Sequence, residues 1–173
     1  MIKKKSKIGV LGGSFDPAHR GHLAISKEAK KRFDLKKIIW AITKKNPLKV
    51  KSDTNVLKRT QSCKKIIGSN SFIKVKFYED IIKSNKTFDL INHLKKNKNL
   101  EIFFLMGADN LINFHKWHKS KLIAQKCNIV VFDRHGYKKN SLKSKTFKRL
   151  NNRTLTFVKF KKVNISSSQL RKI

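Results

Sequence analysis

The stretch IGVLGGSFDPAHRGH, residues 8–22, runs from an apolar segment straight into a turn that holds glycines and two histidines. Its first four residues form a continuous apolar run, which is typical of a strand covered on both faces. Glycine after a strand lets the backbone approach a ligand closely, and the start of a following helix offers free N–H groups to a phosphate. The stretch therefore predicts a buried strand that ends at a phosphate site.

Further apolar runs of strand length lie at residues 38–42, 72–77, 102–106, 129–132 and 155–160. They alternate with segments of helical spacing, which predicts one doubly wound α/β domain over residues 1–173, with a mostly parallel sheet and helices on both faces. Ligands of such domains bind at the carboxyl ends of the strands, near the switch in strand order. The apolar sides of three of the predicted helices consist of Leu23, Ala29 and Phe33; of Val56, Leu57, Cys63, Ile66 and Ile67; and of Phe88, Ile91 and Leu94.

The polar residues 136–152, rich in Lys, Ser and Asn, are expected to form a long mobile connection. No apolar run approaches the roughly 18 residues that a bilayer span needs, and the lysine-rich start lacks a signal-peptide pattern, so a soluble cytoplasmic protein is expected. Cys63 and Cys127 match no CxxC or zinc spacing and are expected to be buried or idle thiols.

The net charge of +33, from 43 Lys and Arg against 10 Asp and Glu, is enough to attract polyanions at low salt. The lysines are spread over the whole chain, and the aromatic residues follow no known nucleic-acid-binding pattern. A solvated basic surface is therefore favoured, with a nucleic-acid-binding module kept as the alternative.

His19 and His22 are the candidate phosphate ligands in the turn. The glycines match neither the P-loop pattern nor G-x-G-x-x-G, so the phosphate must be held in another way. Imidazoles at positions i and i+3 of a helix start lie on one side and can face the same anion. Beside a triphosphate, such a histidine is expected to favour its charged form.

Two other kinds of site compete for these residues. His19 and His22 with His115 and His118 make four histidines at metal-like spacing, although no cysteine or carboxylate completes a zinc set. A catalytic triad is less favoured, because Ser14 does not lie in G-x-S-x-G. The lack of an evident general base fits a phosphate nucleophile, which is already ionised at neutral pH and attacks in line.

GGSFDPAHRGH and the later ISSSQLR (residues 165–171) resemble the paired signatures [GT]xFDPxHxGH and ISSTxxR of the HxGH nucleotidyltransferase superfamily. Between them, FLMGADNLINFHKW (104–117) and VVFDRHGY (130–137) look like the bacterial nicotinate-nucleotide adenylyltransferase branch. The resemblance spans nearly the whole chain. It implies a Rossmann-like domain that transfers AMP from ATP, with Mg²⁺ held mainly by the ATP phosphates, to nicotinate mononucleotide, giving a dinucleotide precursor of NAD and pyrophosphate.

The same resemblance implies the roles of individual residues. His19, His22 and Arg171 would be catalytic, with His22 the most critical for the transition state. Gly107 and Asp109 would meet the adenosine ribose, and Ser14 would lie near the acceptor phosphate. The residues implied around ATP are Gly12, Gly13, Ser14, Phe15, His19, His22, Gly107, Asp109, Ser166, Ser167 and Arg171.

The acceptor is expected to contact residues from several segments. Trp117 would stack on the pyridine ring, and Thr87 opens a segment whose backbone N–H groups would receive the carboxylate, although Lys86 replaces the usual tyrosine. Lys49 and Arg134 are implied partners for the acceptor's negative charges. A related transferase acting on phosphopantetheine or forming a cytidylyl product shares the first signature and remains an alternative.

Overall fold

The computed structural model describes residues 4–44, 55–150, 153–160 and 170. Each apolar run predicted as a strand is a strand, and all the pairings are parallel. The strands are β1 Ser6–Gly13, β2 Lys37–Ile42, β3 Ile73–Lys76, β4 Leu100–Gly107, β5 Asn128–Phe132 and β6 Leu155–Val158. They form one sheet in the order β3-β2-β1-β4-β5-β6, so the predicted doubly wound α/β fold is confirmed.

Helices follow the strands, as the alternating pattern predicts. The helices are α1 Arg20–Phe33, α2 Val56–Ile67, α3 Glu79–Ile82, α4 Thr87–Lys95, α5 Ala108–Asn113, α6 Ser120–Lys126, α7 Lys138–Lys143 and α8 Lys145–Leu150, with a 3₁₀ turn at Phe114–Lys116. None of the described helices is long and apolar enough to cross a membrane.

The sheet is covered on both faces, and this explains why its strands are apolar without alternation. Along β2, Ile38 and Trp40 face one core cluster with Cys63 of α2, whereas Ile39 and Ala41 face the other. Successive side chains of a strand point to opposite faces, so a strand buried on both sides needs an apolar residue at every position. The first cluster also holds Ala29 of α1, and the second holds Phe88, Ile91 and Leu94 of α4.

The expectation of a long mobile connection over residues 136–152 is wrong as far as residue 150, because that stretch folds into α7 and α8. Ser144 ends α7 and caps α8, since its Oγ accepts a hydrogen bond from the Phe147 N–H at 3.1 Å. Phe147 and Leu150 pack against the core. Two apolar side chains and a serine cap therefore outweigh the polar composition.

Helix α2 packs its predicted apolar side against the core through Val56, Cys63, Ile66 and Ile67, and differs from the prediction at Leu57. Leu57, expected on the apolar side, is 66% exposed, whereas Arg59 is 2% exposed.

The two cysteines are buried, as expected, and burial raises the pKa of both thiols to about 12. At neutral pH both therefore stay protonated and unreactive.

Candidate active site

The turn GGSFDPAHRGH lies at the switch point of the sheet. β1 pairs with β2 on one side and with β4 on the other, so the strand order reverses between β1 and β4. The turn leaves the carboxyl end of β1, and Gly107 ends the neighbouring β4. The two segments therefore flank the crevice in which this kind of fold binds its ligands.

Phe15 anchors the turn to the core. It adopts a positive φ of 50° and precedes a cis peptide bond between Asp16 and Pro17. Its ring is 1% exposed and stacks on Trp40 of β2 with a centroid distance of 5.0 Å. The same ring lies 4.7 Å from that of His22. The aromatic contacts thus connect the turn, the second strand and the first turn of α1.

His19 and His22 cap α1 with their side chains. The Gly21 N–H donates to His19 Nδ1 at 3.1 Å, and the His19 N–H donates to His22 Nδ1 at 3.1 Å. Their ring centroids are 3.8 Å apart. Because each Nδ1 accepts a hydrogen bond, each neutral imidazole carries its proton on Nε2. The capping arrangement therefore uses Nδ1 of each ring as an acceptor and makes Nε2–H its donor.

The environment of His19 favours the neutral imidazole. Burial, and secondly the positive charge of Arg134, lower its pKa from 6.5 to about 4. The sequence-based expectation of a charged imidazole concerns a histidine beside a triphosphate, whose negative charge acts in the opposite direction. In the protein alone, His19 is therefore a neutral hydrogen-bond donor at physiological pH.

Asp109 and Arg134 form an ion pair at the same edge of the sheet. Arg134 NH1 and Asp109 Oδ2 are 2.6 Å apart, and neither side chain is fully buried. Asp109 Oδ1 is buried and has no hydrogen-bond partner among the described residues. A Cβ atom added to Gly107 would lie 2.5 Å from this oxygen. Glycine at the end of β4 therefore lets the carboxylate lie against the backbone with one oxygen available.

Thr87 and Trp117 lie at the ends of two separate elements, α4 and the 3₁₀ turn. Thr87 opens α4, in which the Asp89 and Leu90 N–H groups donate to the Lys86 carbonyl, so the N–H groups of Thr87 and Phe88 are the ones that face away from the helix start. Trp117 follows the 3₁₀ turn and packs against Phe104 and Phe114 with centroid distances of 6.1 and 5.2 Å. Its Nε1 is buried without a hydrogen-bond partner in the described part of the chain.

The sequence matches the Cytidylyltransferase-like family model over residues 10–173. A Pelagibacter ubique protein named "Probable nicotinate-nucleotide adenylyltransferase" is 66% identical over 99% of this chain and 95% of its own length. The chain belongs to the nicotinate-nucleotide adenylyltransferase family. A Clostridium botulinum member with the same printed name is 35% identical over 96% of this chain and 84% of its own length.

The fold of this adenylyltransferase family member is also found in a solved structure. The nicotinic acid mononucleotide adenylyltransferase of Plasmodium falciparum, determined in complex with NaAD, has a TM-score of 0.77. It is 22% identical in sequence and the match covers 96% of this chain and 83% of that protein. At this identity the likeness establishes the fold and leaves the residue roles to be tested.

Several residues expected in the adenylyltransferase site lie outside the described part of the chain. The structure brings His19 and His22 together with the Asp109–Arg134 ion pair. It places Gly12 and Gly13 at the end of β1, and Ser14 and Phe15 in the turn beyond it. No group of three or more His, Cys, Asp and Glu side chains placed to hold a metal ion occurs among the described residues. The expected site residues outside the described ranges are Lys49, Ser166, Ser167 and Arg171.

Sequence reasoning missed two side chains that hold this site. Trp40 packs against Phe15 and His22, and its Nε1–H donates to Ser26 Oγ of α1 at 2.8 Å. Arg59 of α2 donates one hydrogen bond to the Ser14 carbonyl of the turn. The sequence gives no sign of these contacts. A tryptophan in an apolar strand is usually part of the core, and an arginine in a basic helix usually lies at the surface.

Proposed function

We propose that the protein transfers AMP from ATP to nicotinate mononucleotide and releases pyrophosphate. The observation that carries this proposal is the pair of capping imidazoles, His19 and His22, whose rings lie together at the switch point of the sheet. The start of α1 adds backbone N–H groups and the positive end of the helix dipole. Membership in the nicotinate-nucleotide adenylyltransferase family supports the identity of the acceptor.

In the reaction, an oxygen of the acceptor phosphate attacks the α-phosphorus of ATP, and the bond to the bridging oxygen breaks as pyrophosphate leaves. This nucleophile is already ionised, so no side chain has to remove a proton. His19 and His22 would donate hydrogen bonds to the phosphate oxygens on which charge develops. Such preorganised donors stabilise a phosphoryl-transfer transition state mainly by position and electrostatics.

The remaining binding residues would orient the two substrates around this step. Asp109 Oδ1, which has no partner in the described part, would accept a hydrogen bond from the adenosine ribose. Trp117 would stack on the pyridine ring, and the N–H groups that begin at Thr87 would receive the nicotinate carboxylate. Arg134 would meet the acceptor's negative charges.

Mg²⁺ and the residues outside the described ranges complete the proposal. Phosphate oxygens are the hard ligands that Mg²⁺ prefers, so the ion would enter with ATP and neutralise its phosphates. Arg171 would hold the outer phosphates, with Ser166 and Ser167 beside it, and Lys49 would face the acceptor. We place this chemistry in the cytoplasm, where ATP is available.

Incubation with ATP, Mg²⁺ and nicotinate mononucleotide tests the proposal through the release of pyrophosphate and the appearance of the dinucleotide. Phosphopantetheine and glycerol phosphate with CTP serve as parallel acceptors, and the amide mononucleotide tests the preference for acid. We expect the acid mononucleotide to give the highest kcat/KM. Failure to form product from either pyridine mononucleotide would contradict the proposal.

Trp117 discriminates this reaction from those of related transferases. Trp117→Ala is expected to raise the KM for the mononucleotide about tenfold, because base–aromatic stacking contributes roughly 1–3 kcal/mol. Trp117→Phe keeps an aromatic ring against Phe104 and Phe114 and is the matched control. Unchanged kinetics in Trp117→Ala would favour an acceptor without a pyridine ring.

A further inference from the structure

Arg59 is a charged side chain placed inside the protein. It lies on the first turn of α2 and is 2% exposed, while Leu57 on the same turn is 66% exposed. Burying a charge is costly unless the group is paired and hydrogen-bonded. A basic helix has many solvent-facing positions for an arginine, so the burial of this one indicates a specific task.

The guanidinium of Arg59 connects two segments that leave the sheet at neighbouring strands. Arg59 Nη1 donates to the carbonyl oxygen of Ser14 at 2.7 Å and to that of Thr43 at 2.6 Å, and Nη2 donates to that of Lys44 at 3.1 Å. Ser14 follows β1, and Thr43 and Lys44 follow β2. Hydrogen bonds from a charged donor are shorter and stronger than neutral ones, and the planar fork of arginine fixes their directions.

The segment after β2 is held from other sides as well. The Thr43 N–H donates to the Gly13 carbonyl at 2.9 Å, and the Lys44 N–H donates to Glu79 Oε1 at 3.0 Å. Burial raises the pKa of Glu79, while the Lys44 N–H and the positive charges of Lys44 and Arg59 lower it in part. Arg59 thus completes a set of contacts that leaves the backbone at residues 43–44 little freedom.

The turn after β1 requires such support. Phe15 adopts a positive φ of 50°, a conformation that a bulky side chain rarely takes. Residues in sparsely populated backbone conformations persist when their surroundings over-determine them. Arg59 binds the carbonyl group directly before Phe15, and the stack on Trp40 holds the ring.

We propose that Arg59 is a positioning residue for the acceptor: it fixes the Ser14 backbone against the segment after β2 and so sets the place of the acceptor phosphate. This inference rests on the proposed function, in which Ser14 lies near that phosphate. A misplacement of reacting groups by about 1 Å can lower a rate about 100-fold. In the proposed function the ATP phosphates are bound by the histidine pair, whereas Arg59 binds the carbonyl groups of Ser14, Thr43 and Lys44.

Arg59→Met and Arg59→Lys test this role, with Cys63→Ala as the matched control. Cys63 lies one turn further along α2 and is fully buried, so its truncation weakens the packing of the helix without touching the two segments. Lysine keeps the positive charge but lacks the planar fork that reaches three carbonyls. If Arg59→Met does not fold, Arg59→Lys carries the test.

Steady-state kinetics are the first readout. Arg59→Met is expected to lower kcat/KM for nicotinate mononucleotide about 30-fold or more, while the KM for ATP changes by less than about threefold. Arg59→Lys is expected to fall between this variant and wild type, and Cys63→Ala is expected to keep wild-type kinetics. Equal losses for both substrates, or the same losses in Cys63→Ala, would assign Arg59 to stability alone.

Hydrogen exchange of the free protein is the second readout and does not depend on activity. The Thr43 and Lys44 amides are expected to exchange about tenfold faster in Arg59→Met than in Cys63→Ala. Unchanged exchange would overturn the positioning role even if the enzyme is active. The two readouts also separate this inference from the proposed function. If the wild-type protein forms no dinucleotide while the amides exchange faster in Arg59→Met, the proposed function is refuted and the structural contact of Arg59 stands.

Discussion

His22 has two tasks, one at each ring nitrogen. Nδ1 accepts the His19 N–H and caps the helix, and in the proposed function Nε2 would donate to the substrate phosphates. Replacement by alanine would therefore remove a cap and, in the proposed function, a phosphate ligand at once. Asparagine separates the two tasks, because its Oδ1 occupies the place of Nδ1 whereas nothing reaches the place of Nε2.

We expect both His22→Ala and His22→Asn to lower kcat at least about 100-fold, since one preorganised donor to the transition state contributes that much. His22→Ala is also expected to lose about 1 kcal/mol of unfolding free energy through the lost cap, whereas His22→Asn keeps most of it. Pyrophosphate release and thermal unfolding measure the two effects. Retained adenylyl transfer in either variant would refute the mechanism.

The lowered pKa of His19 makes stability depend on pH. The folded protein holds this group with a pKa of about 4, against about 6.5 when unfolded, so the unfolded chain binds the proton first as the pH falls. The contribution of the neutral imidazole to stability is fully present above about pH 6.5 and is lost as the pH falls through 4.

His19→Asn isolates this effect, because asparagine caps a helix well and does not titrate. Denaturant unfolding between pH 7 and pH 4 should show a steeper loss of stability in the wild type than in His19→Asn. Arg134→Gln should raise the pKa of His19, while burial still keeps this pKa below its usual value. An NMR titration of the His19 ring measures the change. Parallel pH profiles in wild type and His19→Asn would contradict the buried neutral imidazole.

At the scale of elements, the junction of β4 and α5 requires its glycine. A methyl group at Gly107 would lie 2.5 Å from Asp109 Oδ1 and would displace the carboxylate from the Arg134 guanidinium. Gly107→Ala is therefore expected to raise the KM for ATP about tenfold. Displacing the carboxylate would remove its hydrogen bond from the adenosine ribose, and one hydrogen bond to a charged group contributes about that much.

A double-mutant cycle checks whether this effect acts through the carboxylate. In an Asp109→Ala background, Gly107→Ala should cause little further increase in the KM for ATP. Additive increases would show that the methyl group acts elsewhere. Circular dichroism of all three variants controls for the fold.

At the scale of the whole molecule, we expect the net charge of +33 to affect how fast and how tightly anionic ligands bind, and to affect the rate of the chemical step little. Binding to a short DNA duplex, measured by fluorescence anisotropy, is expected at about 0.02 M salt and should be lost near about 0.15 M. The kcat of adenylyl transfer should change little over the same range, while kcat/KM for ATP declines as screening weakens attraction. Tight binding that survives at 0.15 M salt without turnover would favour the nucleic-acid-binding alternative.

The strands were predictable because their apolar runs are determined by burial on both faces of the sheet. The same reasoning placed Gly13 and Gly107 at the carboxyl ends of neighbouring strands, which the structure confirms. It was wrong for residues 136–150, where the helical contacts of Phe147 and Leu150 are hidden among lysines and asparagines. The roles of the individual site residues stay predictions.

The sequence by itself determined the alternation of strand and helix, the position of the histidine turn and the family, since each is written in local order and composition. Tertiary structure alone decided that Arg59 is inside and Leu57 outside, that Trp40 supports the turn, and that His19 is neutral. The physical reason is that burial and the distance between charges depend on segments far apart in sequence. No local pattern records which carbonyl groups an arginine will meet.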